Sequence, residues 1–86
     1  MTNVAAERNA VEPFAHQVLD FVRQTDAKAA YALEAPIDPG IWRLYLYVRE
    51  DLAGDPEYGE RVANRAVDVL IEHDVALAPL LRARRS

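Results

Sequence analysis

Cysteine is absent from this 86-residue chain, glycine occurs three times, and tryptophan and methionine once each. Without cysteine, no disulfide framework and no zinc–thiolate site can reinforce the fold. Gly40, Gly54 and Gly59 do not have the spacing of a phosphate-cradling loop. Nowhere do 18 apolar residues run together, so no membrane-spanning helix is expected. Near the start, Glu7, Arg8 and Glu12 stand where a secretory leader needs an unbroken apolar region, which points to the cytoplasm. The charge is short of basic residues, ten against fourteen acidic ones. Three of those ten are Arg82, Arg84 and Arg85, so the body of the chain is strongly acidic and does not attract nucleic acid at long range.

What is present suits a small globular core. Half the residues are apolar, far from the composition of a disordered chain. A chain this short buries only about 60–65% of its unfolded surface, so stability must come from one well-packed core or from a subunit interface. Residues 1–86 form one domain, with 82–86 expected as a flexible basic tail.

Apolar residues Val4, Val11, Phe14, Ala15, Val18, Leu19 and Val22 recur at helical steps. Pro13 removes a backbone donor and crowds the preceding turn, so a helix start or sharp kink is expected near Glu12. Thr25 and Asp26 suit the turn that follows. Residues 29–37 alternate, with Ala29, Tyr31 and Leu33 on one side and Ala30, Ala32 and Glu34 on the other. Asp38-Pro39-Gly40 has type II turn chemistry and joins this run to a second strand, 41–49, as an antiparallel hairpin. Asp55 then reads as an N-cap and Pro56 as the first residue of a helix of about five turns. Its stripe is Tyr58, Val62, Ala66, Val69, Leu70 and His73. Residues 75–81 read as a third strand, which Pro79 confines to an edge. The expected fold is α/β of the α+β kind: order α-β-β-α-β, an antiparallel hairpin plus a third strand, helices on one sheet face.

Side chains with chemistry are mostly explained by structure. His16, with Asp20 four residues on, and His73, between Glu72 and Asp74, lack a nucleophile or a sufficient ligand set. Asp51, Asp55, Glu57 and Glu60 cluster where capping and the helix dipole already use acidic groups. No catalytic residue, cofactor or metal site is expected. The second strand is different. Trp42, Leu44, Leu46 and Val48 form its core face, whereas Ile41, Arg43, Tyr45, Tyr47 and Arg49 form a face neither wet nor plainly buried. Such a face can pair with its own copy or another protein, since tyrosine and arginine favour interfaces. It can also stack single-stranded nucleic acid, against which the acidic balance tells. Chain-covered tyrosine and arginine with wet tips would be the plain structural use.

From Arg43 to Arg82, "LYLYVRED", "ERVANRAVDVLIEH" and "DVALAPLL" follow one another. This order of strand, acidic loop, long helix and strand resembles part of a small nucleotidyltransferase-like domain. "EAPIDPG" replaces that family's Gly-Ser signature, and Arg43 and Tyr45 fall where its metal-holding D-x-D pair would stand. Arginine and tyrosine cannot hold Mg²⁺ for phosphoryl transfer. The resemblance therefore implies a fold relative without the activity. The expectation is a small non-catalytic cytoplasmic interaction module, self-associating as a dimer through an open sheet face. The alternatives are a nucleic-acid or nucleotide binder using the arginine and tyrosine face, and a catalytically inactive nucleotidyltransferase-like relative.

Overall fold

A computed structural model describes the backbone of residues 4–34 and 40–84, and within them the side chains from Arg8 onward. The chain order is α1 (Val4–Arg23), β1 (Ala30–Glu34), β2 (Ile41–Val48), α2 (Glu50–Ala53), α3 (Pro56–His73) and β3 (Ala76–Ala83). This is the expected α+β order, with one short helix, α2, that the sequence reading left as loop.

Helix α1 does not start or break at Glu12 but runs through Pro13. The physical reason lies in where Pro13 points. It is exposed, so the Asn9 carbonyl that loses its donor can turn to water, while the opposite face keeps its packing. Val11, Ala15, Val18, Leu19 and Val22 are buried on that face, with Phe14 packed at its margin.

β1 and β2 pair antiparallel, Ala30 opposite Tyr47 through Glu34 opposite Arg43. Of the turn between them, Asp38 and Pro39 lie outside the described residues; Gly40 has φ 90°, a conformation that glycine adopts without a side-chain clash. β3 lies on the other side of β2 and parallel to it, Ile41 opposite Ala76 through Val48 opposite Ala83. Parallel neighbours need a long crossover, and α3 supplies it. The Arg84 N–H donates to the Val48 carbonyl at 2.6 Å. Alternate residues of β3 thus turn their amides to β2, and Pro79, out of phase with Arg84, faces the free edge, where no donor is missed. The basic tail expected over 82–86 is corrected at its beginning. Arg82 and Ala83 belong to β3, and Arg84 is tied to Asp26, because eight residues of pairing with β2 carry the chain that far. Arg85 and Ser86 lie outside the described residues.

α3 begins as its sequence dictates. The Asp55 carboxylate accepts from the Glu57 and Tyr58 amides at 3.0 and 3.4 Å, and Pro56 takes the first helical position. It ends at Asp74, left-handed at φ 57°, whose N–H reaches the Leu70 carbonyl at 2.9 Å. Tyr58, Val62, Ala66 and Val69 are buried as expected. Leu70 and His73 are not. With 3.6 residues per turn, Leu70 sits about 80° off the centre of the buried arc and stays 42% exposed. His73 lies against the Phe14 ring, 4.7 Å between centroids.

The core is one layer deep. Leu33, Trp42, Leu44, Leu46, Val48 and Leu77 face the buried stripes of α1 and α3. The described helices cover this face, and the opposite face of the sheet carries none of them.

Candidate functional site: the open sheet face

The pleat sends alternate residues to opposite faces, so the register fixes what shares the uncovered side. Reading across the strands, Glu34, Arg43 and Ala78 form one row; Ala32, Tyr45 and Leu80 the next; Ala30, Tyr47 and Arg82 the third. Ile41 and Ala76 extend the face at one end. The two tyrosines stand at its centre with alanines beside them on β1. Ile41 is 48% and Leu80 38% exposed, and Arg43, Tyr45 and Tyr47 are half-buried among their neighbours. The Arg82 guanidinium lies over the Tyr45 ring, 5.9 Å from its centroid, a cation–π placement that leans the charge toward the centre of the face. The charged groups stand on its margin: Glu34 at one end of β1 with Arg43 beside it on β2, and Arg82 at the opposite end of β3.

Of the residues that alternation nominated, Ile41, Arg43, Tyr45 and Tyr47 share this face. Arg49 does not extend it as strand. β2 ends at Val48, and Arg49 leads into α2, its amide donating to Asp26 Oδ2 at 3.0 Å and its Nε to Asp51 Oδ1 at 3.2 Å. What the sequence reading missed are the flanks: Ala30, Ala32 and Glu34 from β1, and Ala76, Ala78, Leu80 and Arg82 from β3. Alternation in β1 pointed to the first three. For β3 the signal was weak, because "ALAPLL" is apolar on both faces.

Elsewhere, titratable groups are engaged in structure. Asp26, 4% exposed, accepts from the Lys28 and Arg49 amides and from Arg84 Nη1 at 2.7 Å. Burial raises its pKa, but these bonds outweigh it and hold the carboxyl below the usual carboxylate range. Tyr31 donates its hydroxyl to Glu12, which with burial pushes the phenol up; His16 Nε2 lies 3.1 Å from the same oxygen. His16 therefore meets Glu12 and Tyr31 rather than Asp20. Of the acidic cluster, Asp51 pairs with Arg49, Asp55 caps α3 and Glu57 lies in the first turn of that helix. Among the described residues no group of three histidine or acidic side chains is arranged to hold a metal ion. Also among the described residues, no helix is long and apolar enough to cross a membrane. A groove of about 320 Å³ lies between the first turn of α3 and β3, lined by Gly59, Val62, Pro79 and Leu81, and its one acidic group, Asp55, is the cap of α3.

Comparison with protein-family models, curated proteins and solved structures finds no match to the chain. The reading of function rests on the geometry above.

Proposed function

We propose that the protein is a small non-catalytic interaction module that self-associates as a homodimer through the open face of its sheet. One observation carries the reading: the register gathers tyrosine, leucine, isoleucine and alanine side chains on a sheet face that no described element covers. β1 of five residues and β2 and β3 of eight each, at about 3.3 Å per residue and about 4.8 Å per strand, give roughly 330 Å² of flat area, or on the order of 400 Å² accessible. Two copies laid face to face then bury about 800 Å², the size of a weak, transient contact. The mixture of aromatic and arginine side chains is that of interface cores.

Arg43, Tyr45, Tyr47 and Arg82 also suit single-stranded nucleic acid, but the net charge of −4 opposes that use. Light scattering on the wild type and a Tyr45→Glu, Tyr47→Glu double variant tests the reading. The expected result is a wild-type dimer and a folded monomeric variant. Binding of a labelled single-stranded oligonucleotide that weakens steeply with salt, by a wild type that stays monomeric, would replace self-association by the nucleic-acid reading.

A further inference from the structure

Tyr31 lies on the helix side of β1, in register with Leu46 of the core, and so away from the open sheet face. Helix α1 brings two side chains to it. Glu12 and His16 stand four residues apart on one face of that helix. The Tyr31 hydroxyl donates to Glu12 Oε2 at 2.5 Å, and His16 Nε2 lies 3.1 Å from the same phenol oxygen. Glu12 Oε2 and His16 Nε2 are 3.9 Å apart. The imidazole stands edge-on to the phenol ring, 5.0 Å between centroids. Carboxylate, imidazole and phenol thus converge between a helix and a strand.

A triangle with these three sides has a circumradius of about 1.95 Å. An ion about 0.5 Å out of its plane therefore stands about 2.0 Å from all three atoms, the length of a bond from a first-row transition ion to nitrogen or oxygen. No donor has to move. The angles at such an ion are about 77° between Glu12 and Tyr31, about 101° between Tyr31 and His16, and about 152° between Glu12 and His16. They are nearer to three corners of a square than to a tetrahedron, which disfavours Zn²⁺. Tetragonal sets of nitrogen and oxygen select Cu²⁺, which also binds most tightly among the divalent ions of its row. We propose that Glu12 Oε2, His16 Nε2 and the Tyr31 phenolate oxygen bind one Cu²⁺ ion, with water at the fourth corner.

Access and charge suit that ion. The His16 side chain is 51% exposed, so ion and water reach the donors from solvent. On binding, the Tyr31 proton leaves to solvent and His16 keeps its own on Nδ1. Carboxylate and phenolate then match the two charges of the ion. The hydrogen bond to Glu12, and after it burial, pushes the Tyr31 phenol up, and the ion replaces that hydrogen bond. Arg8 and Arg23, the cations near the phenol, favour its ionised form. Binding one proton fewer, the loaded site strengthens as pH rises.

Titration of the untagged chain with Cu²⁺, followed by absorbance and by calorimetry in two buffers of different ionisation heat, tests the site. Wild type should take one ion per chain, release one proton and gain a visible phenolate-to-copper charge-transfer band. Tyr31→Phe keeps the ring and its packing. It should lose the band and the released proton, and bind about ten-fold or more weakly. His16→Gln should weaken binding by a similar factor, with circular dichroism confirming that both variants fold. Where His16→Gln does not fold, the band and the proton count of Tyr31→Phe decide. A band unchanged in Tyr31→Phe, or an affinity unchanged in a folded His16→Gln, would put the copper elsewhere and overturn the proposal. Wild type that binds no copper at micromolar concentration would overturn it too, leaving the three side chains as a hydrogen-bonded strap between α1 and β1.

Discussion

Asp26 joins three parts of the chain at one carboxylate: its own turn through the Lys28 amide, the end of β2 through the Arg49 amide, and the end of β3 through Arg84. Removing it leaves two amides unpartnered and a guanidinium to be resolvated. Asp26→Ala should therefore cost about 2–4 kcal/mol in urea denaturation at neutral pH. The sign of the pH dependence follows from the depressed folded-state pKa. The stabilisation is fully present above the unfolded value near 3.8 and is lost as pH falls through the folded one. The gap between wild type and variant should narrow between about pH 4 and lower values. A gap unchanged at low pH would show that the carboxylate charge is not what holds the junction. The turn at Asp26 was legible in the sequence. Its burial was not, since Arg49 and Arg84 are brought to it only by the closed sheet.

At the scale of elements, the hairpin and the core face of β2 were legible because alternation of Trp42, Leu44, Leu46 and Val48 with polar neighbours has one geometric meaning. The parallel pairing of β3 was not, because "ALAPLL" is apolar on both faces and a one-residue slip leaves it so. Nor was the passage of α1 through Pro13. A proline interrupts a helix on local grounds, and only its placement on the wet side makes it tolerable. That account predicts that Pro13→Ala, which restores a donor for the Asn9 carbonyl, raises stability by about 1–2 kcal/mol and Tm by about 5–10 °C. Thermal unfolding followed by circular dichroism measures it. A lower Tm would mean that proline sets a bend on which the packing of α1 depends.

For the whole molecule, the decisive feature is the imbalance of its layers. Both long helices cover one side of a three-stranded sheet, and among the described residues no element covers the other side. Half of that face could be read from the sequence as the alternation of Ile41, Arg43, Tyr45 and Tyr47. That the flanks from β1 and β3 join this face needed the register. The most direct test of the account is the solution mass of the unaltered protein, by sedimentation from about 1 to several hundred micromolar. The account predicts a mass that rises with concentration toward twice the 9.7 kDa of one chain and levels there. A mass that stays at one chain throughout would contradict it.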